Sequence, residues 1–313
     1  MTDKPLFPRD VFIDELYEAA SKDKDIVIIS ADFGAPALDR FRDDLPDQFI
    51  HSGISEQHMI DMAAGMALCG KKVYAYAMAP FLSLRCYEQI KAALSLMDLP
   101  VTLLSVGVGV GYADAGPTHY ITEDLACLRA LNGMEVVTTC DPESSREVAR
   151  LTLSKPALRY IRLDRDPELP VYNGDFSSAI DAGMHELHSG DDVCLVTSGY
   201  LMGRALATKN QLAEQGINAG VIDLFRIKPL NGGALRKILG RYKYVVTLEE
   251  QGLDGGFGSA VLEAVNDHGI STSIKRLGLP ERYFFENGGR NYILDNNGLS
   301  VGDISKAVTD LLG

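Results

Sequence analysis

The segment from His51 to Leu68, HSGISEQHMIDMAAGMAL, sets a carboxylate, Glu56, at the head of an otherwise apolar stretch. An apolar surround favours the protonated form of a carboxyl group, which suits it to proton sharing. The small residues Ala63, Ala64, Gly65 and Ala67 allow close approach to another surface, which puts Glu56 at a packed interface rather than on a solvated face. Its plainer use is to complement the positive end of a helix dipole, worth about 0.3 to 1 kcal/mol. A second candidate is His119, which follows a Gly116-Pro117 turn; imidazole suits proton transfer to a carbonyl oxygen near neutral pH. The third is aromatic. Phe81 and Tyr87 open a predicted helix with Leu84 midway, so Phe81 and Leu84 fall on neighbouring turns of one face. They suit an ordinary amphipathic core. Arg85 and Gln89 point away from that spacing, toward substrate, a partner chain or solvent.

These residues need a frame. Short runs rich in β-branched residues recur between helical patterns: Ile26–Ile29, Val73–Tyr76, Val101–Leu104, Val136–Thr138 and Leu158–Ile161. Alternation with helices such as the one carrying Val11, Ile13, Leu16, Tyr17 and Ala20 predicts a parallel sheet covered on both faces. The stretch Asp164–Asp175, with its prolines, glycine and charges, predicts an extended exposed connection. A second α/β series follows at Val193–Thr197, 203–215, Ala219–Asp223 and Tyr244–Leu248. The predicted fold is α/β with two doubly wound domains, residues 1–165 and 186–313, joined by a linker over 166–185. The segment Pro280–Asn297, rich in Gly, Asn and Arg, is predicted irregular.

The composition excludes several functions. At 313 residues, with 46% hydrophobic content, the chain can fill two cores. Its net charge of −13 and its lack of a basic run argue against nucleic acid. Cysteines 69, 86, 127, 140 and 194 form no CxxC pair and sit in apolar segments, which predicts reduced core thiols and a cytoplasmic protein. No apolar run reaches ~18 residues, so no membrane span is expected. The alternating run Val106–Gly111 fails the GxGxxG test, because Tyr112 and Asp114 stand where glycine is needed; its glycines read as a pocket wall. His185 and His188, spaced like one helical face, read as surface histidines.

Taken together, the 51–68 segment, Ala79–Gln89 and Gly116-Pro117-Thr118-His119 resemble the transketolase family of thiamine diphosphate enzymes, from about residue 5 to 312. The order is similar to that family's pyrimidine-binding domain followed by its C-terminal domain. 1-Deoxy-D-xylulose 5-phosphate synthase and, more distantly, 2-oxo acid dehydrogenase β subunits are also similar. The resemblance implies that Glu56 hydrogen-bonds N1′ of the cofactor's aminopyrimidine and promotes its imino tautomer. It implies that Phe81 stacks on the ring, with Leu84 in place of a second aromatic, and that Tyr87 and Ile54 line the pocket. Asp32 matches a position near the aminopyrimidine, although helix capping explains it almost as well. His119 matches a histidine that reaches substrate, and Arg162 a region that supplies an arginine to an anionic tail.

Two positions depart from sugar-phosphate transketolases. Ala115 replaces an aspartate that reads a substrate hydroxyl, with Asp114 one residue earlier, and Gly107 replaces a phosphate-binding histidine. In the second domain, Leu248–Gly252 and Gly255–Val261 resemble the family's C-terminal pattern, where the glycines serve a strand-to-helix turn. No GDG sequence, the family's mark for diphosphate and Mg²⁺ binding, is present. The resemblance therefore implies a partner subunit that holds the diphosphate and Mg²⁺, in an α2β2 assembly where the small-residue helix packs at a subunit interface. The expected activity is transfer of a two-carbon ketol unit from a ketose or its phosphate to an aldehyde. The alternatives are a pyruvate-using synthase, a dehydrogenase β subunit or a non-catalytic assembly subunit.

Overall fold

The computed structural model describes residues 6–31, 35–166, 168, 170–172 and 176–313. The chain divides into two compact units, one formed by Met1–Val108 with Cys127–Phe176, the other by Gly109–Ala126 with Ser177–Gly313.

The first unit holds strands β1 (Ile26–Ser30), β2 (Phe49–His51), β3 (Lys72–Met78), β4 (Val101–Val106), β5 (Glu135–Thr138) and β6 (Arg159–Leu163). They lie in the order β5-β6-β4-β3-β1-β2, and every neighbouring pair is parallel. Strands β1, β4 and β6 are buried along their whole length, the condition that favours continuous Ile, Val and Leu runs. The helix Pro8–Ala20 buries Val11, Phe12, Ile13, Leu16 and Ala20, and packs against the helix Pro142–Ser154. Because β2 and β3 flank β1 on opposite sides, the sheet has a topological switch point there, and ligands in such sheets bind beyond the carboxyl ends of the strands.

Asp141 organises the far edge of this unit. Its Oδ1 accepts the Ser144 N–H at 2.7 Å as the cap of the Pro142–Ser154 helix, while Oδ2 accepts the N–H groups of Val171 and Tyr172 at 2.8 and 3.0 Å. The expected exposed connection after Leu163 is corrected in part: Asp164 and Tyr172 are buried, the latter with its backbone N–H held by the buried Asp141 carboxylate, whereas Pro170 is exposed.

The second unit contains β7 (His185–His188), β8 (Val193–Thr197), β9 (Ala219–Asp223), the three-residue β10 (Arg226–Lys228), β11 (Tyr244–Gly252) and β12 (Ser273–Leu279). Its sheet runs β12-β11-β8-β9-β7, parallel except for β7, which is antiparallel to β9. Helices Leu201–Glu214 and Val301–Leu312 pack together, and Phe257–Asp267 packs on β11. His185 and His188 therefore stand on a strand, not on a helical face. Cross-strand pairing with β9 overrides their helical spacing, and His185 is half-buried. The segment before Asn297, expected to be irregular, includes the helix Gly289–Asp295, anchored by buried Arg290, Ile293 and Leu294. Of the cysteines, 86, 140 and 194 are core thiols, whereas Cys69 is exposed just beyond the helix Glu56–Leu68. Among the described residues, no helix is long and apolar enough to cross a membrane.

The pattern around residues 248–261 has a mechanical explanation. Glu249, within β11, accepts the N–H groups of Phe257 at 2.6 Å and Gly258 at 2.9 Å, which caps the Phe257–Asp267 helix. A Cβ on Gly258 would lie 2.7 Å from both Glu249 Oε1 and Thr247 Oγ1, so glycine there lets the helix sit directly on the strand.

Candidate active site

In the first unit, β2 ends at His51, and the chain turns through Gly53, whose φ of +72° suits glycine, before the helix Glu56–Leu68 begins. Glu56 is the first residue of that helix and is 4% exposed. Ala63 and Ala64 are buried within the chain, whereas no atom approaches the position of a Cβ on Gly65.

The strand β3 runs straight into the helix Ala79–Ser83, which carries Phe81. That helix stops after one turn: Ser83 Oγ bonds back to the Ala79 carbonyl at 2.6 Å, and three residues on Cys86 leaves the helical region. Helix resumes at Tyr87–Gln89 and widens to a π-turn over Ile90–Ser95. The predicted continuous helix through 81–87 is thus broken at 84–86. Arg85 lies within this interruption: its Nη1 donates to Glu56 Oε2 at 2.6 Å, and its guanidinium carbon lies 4.1 Å from the centroid of the Phe81 ring. Gln57 also donates to the Arg85 carbonyl at 3.2 Å.

Glu56 and Phe81 are therefore joined through one planar cation. A carboxylate buried this deeply needs a counter-charge or a hydrogen-bond donor, and Arg85 supplies both. Sequence spacing leaves Arg85 undecided between substrate, partner and solvent. Its place over Phe81 fits the i,i+4 spacing of a helix, whereas its pairing with Glu56 across 29 residues leaves no periodic signal.

The other expected pocket residues of this unit are less gathered. Ile54 is 77% exposed and Leu84 41% exposed. Tyr87 is half-buried and donates to the Cys127 carbonyl at 3.1 Å; burial raises its phenol pKa. Asp32 lies outside the described residues. Arg162 is buried in β6, aligned with Ser105 of β4 and Thr138 of β5. Cys86, beside the cluster, has a thiol pKa pushed up to about 12, first by burial and then by the Glu56 charge.

In the second unit, Gly116 adopts a φ of +82° and its carbonyl accepts the His119 N–H at 2.9 Å, so the turn inferred from Gly116-Pro117 is formed. His119 Nδ1 lies 2.8 Å from Thr118 Oγ1, and its side chain is half-buried. Asp114 is exposed on the preceding short helical turn. Next to His119, Tyr120 is buried and accepts the Phe284 N–H at 2.7 Å, which fixes the loop on this unit. The glycine run is not a strand, because β4 ends at Val106. Gly107 and Gly109 have φ of +77° and +59°, and Gly109 lies against Glu250.

Residues 6–167 match the transketolase pyrimidine binding domain, and residues 183–304 match the transketolase C-terminal domain. The chain belongs to the transketolase family. It is 32% identical over 305 residues to one subunit of the apulose-4-phosphate transketolase of Phocaeicola vulgatus, a match covering 97% of each chain. It is 34% identical to 1-deoxy-D-xylulose-5-phosphate synthase 1 of Geobacter sulfurreducens, covering 96% of this chain but 47% of that longer protein. Among solved structures, a split gene transketolase described as an inactive beta4 tetramer superposes with a TM-score of 0.88 at 28% identity, covering 98% of each chain. Transketolase-family membership implies thiamine diphosphate. The residues present suit its aminopyrimidine end, since a flat, nitrogen-rich cation from the chain itself already rests on Phe81 and donates to Glu56. Glu249, Glu250 and Arg290 all lie within the residues that match the transketolase C-terminal domain.

Proposed function

We propose that this chain is the C-terminal subunit of a split, thiamine diphosphate-dependent transketolase, supplying the pyrimidine-binding and C-terminal domains. It would transfer a two-carbon ketol unit from a ketose or ketose phosphate to an aldehyde. The carrying observation is the end-to-end correspondence with a single subunit of another transketolase, 97% of each chain. The chain contains no GDG sequence, which supports assigning the diphosphate and its Mg²⁺ to an N-terminal partner subunit in an α2β2 assembly. Exposed Ile54, Leu68 and Leu84 and the open side of Gly65 support a partner against the Glu56–Leu68 helix.

Bound at this site, thiamine diphosphate supplies a nucleophilic carbon that no protein side chain offers. Glu56 holds a proton at N1′ of the aminopyrimidine, and its burial keeps water from competing for that proton. Phe81 provides the stacking face, Leu84, Tyr87 and Ile54 are assigned to the pocket wall, and Asp32 is assigned to the aminopyrimidine end. His119 passes a proton at the substrate carbonyl oxygen, and Asp114 and Arg162 are assigned to the substrate's polar and anionic ends. Ala115 and Gly107 offer no side-chain donor, which favours a substrate other than the usual pentose phosphates.

The test is reconstitution with a co-expressed partner that carries GDG and a downstream asparagine, followed by assay of ketol transfer. Glu56→Gln should lower turnover at least about 100-fold, the low end for a proton-transfer group. Unchanged turnover removes the catalytic assignment. Full-strength thiamine diphosphate binding by the isolated chain removes the partner assignment. A second reading draws on the 34% identity to a deoxyxylulose-phosphate synthase: the donor would be pyruvate, and carbon dioxide release from pyruvate in the reconstituted complex separates the two.

A further inference from the structure

We propose that Arg85 is a placeholder for the aminopyrimidine, an inference that rests on the reading of Glu56 and Phe81 given above. Without cofactor, its guanidinium makes the contacts the ring makes when bound; when cofactor arrives, it swings out to solvent.

Three observations carry this. First, the contacts match in kind: Arg85 donates a hydrogen bond to Glu56 Oε2 at 2.6 Å and lies 4.1 Å over the Phe81 centroid. A guanidinium and a protonated aminopyrimidine are both flat, delocalised, nitrogen-bearing cations, able to stack on an aromatic face and donate to a carboxylate. Second, the two partners differ in burial. The Glu56 side chain is 5% exposed and that of Arg85 41% exposed. The carboxylate is fixed in the protein, whereas the arginine reaches in from the surface and can leave with little loss of packing. Third, the alternative to Arg85 is costly, because a buried carboxylate left alone is strongly destabilising. Arg85 thus gives the buried Glu56 carboxyl a partner and holds it aimed while the cofactor is absent. Phe81 and Arg85, four residues apart, are neighbours along one helical face, which seats the guanidinium over the ring although the helix is interrupted at 84–86.

A placeholder lowers apparent affinity by the fraction of time the seat is held. The complex with its partner is titrated with thiamine diphosphate and Mg²⁺ by calorimetry, using wild type, Arg85→Met, Arg85→Lys, Glu56→Gln and Phe81→Ala. If Arg85 holds the seat about nine-tenths of the time, Arg85→Met tightens apparent binding about tenfold, and Arg85→Lys, which keeps charge but not planarity, tightens it less. Arg85→Met also lowers the Tm of the cofactor-free chain, and the double variant with Glu56→Gln restores it. If Arg85 instead positions Glu56 for the cofactor, Arg85→Met binds more weakly. Binding by Arg85→Met that is unchanged or weaker, with Glu56→Gln and Phe81→Ala both weakened, overturns the placeholder and leaves the site reading standing. Wild-type binding by Glu56→Gln and Phe81→Ala overturns both. A structure of the loaded wild-type complex tests the same point without substitution: a guanidinium still stacked on Phe81 and bonded to Glu56 overturns it.

Discussion

Gly109 rests against the side chain of Glu250 so closely that a Cβ at residue 109 would overlap the carboxylate. Glu250 is held there by Arg290, whose Nε donates to Oε2 at 2.9 Å and whose guanidinium stacks 3.6 Å over the Tyr200 ring. With a φ of +59° at Gly109, both backbone and space demand glycine. Gly109→Ala should therefore destabilise the chain by more than the usual 1 kcal/mol or so for a point mutant, as a lower Tm in calorimetry; an unchanged Tm would contradict this packing.

The Glu250–Arg290 pair gives a second prediction. Both side chains are almost fully buried, at 6% and 5% exposed. Removing one partner strands the other charge, so Glu250→Gln or Arg290→Met alone should cost about 3 to 5 kcal/mol. The double variant should cost clearly less than the sum. A urea-unfolding double-mutant cycle reads the coupling, and additive losses would show that the two charges do not depend on each other.

Asp141 joins two elements through one carboxylate. Asp141→Ala uncaps the Pro142–Ser154 helix and leaves the N–H groups of Val171 and Tyr172 without their acceptor. A loss of about 2 to 4 kcal/mol is expected, with earlier proteolysis after Leu163 under native conditions. Asp141→Asn keeps an acceptor for one element only and should fall between.

Much of the fold is legible in the sequence because parallel strands buried on both faces leave unmistakable runs, as in Ile26–Ser30 and Val101–Val106. Strand β12, Ser-Ile-Lys-Arg-Leu-Gly-Leu, carries charges because it is the sheet's outer strand, and it leaves no such run. The transketolase motifs locate Glu56, Phe81 and His119, yet nothing in composition or periodicity pairs Arg85 with Glu56 across 29 residues, or Arg290 with Glu250 across 40. Those contacts are set by tertiary placement, which local spacing does not encode.

Thiol reactivity should follow burial. Cys69 is exposed, whereas Cys86 is buried, with its pKa pushed up to about 12, and Cys194 is raised further by desolvation. Because only the thiolate attacks, iodoacetamide under native conditions at neutral pH should alkylate Cys69 first and leave Cys86 and Cys194 untouched, as read by peptide mass spectrometry. Early labelling of Cys86 would mean that the region around Glu56 opens readily.

Stability should also respond to mild acid through β7. Desolvation lowers the pKa of both His185 and His188 below their ordinary 6.5. The folded chain then binds fewer protons than the unfolded chain, so this contribution is full above about 6.5 and is lost as the pH falls through the folded values. Urea midpoints measured between about pH 7.5 and about pH 5.5 should fall less in a His185→Asn, His188→Asn variant than in wild type. Equal slopes would exclude the histidines as the cause.

Strand β7 has a consequence for self-association. Without it, the fully buried β9 would offer a row of unmatched backbone donors and acceptors along Ala219–Asp223, a ready template for a strand from another copy. The four residues His-Glu-Leu-His cover that row, slip register between Glu186 and His188, and present a short, polar outer rim instead. The reversed strand thus acts as a chain terminator for the sheet, keeping the C-terminal unit from growing by strand addition into fibrous aggregates.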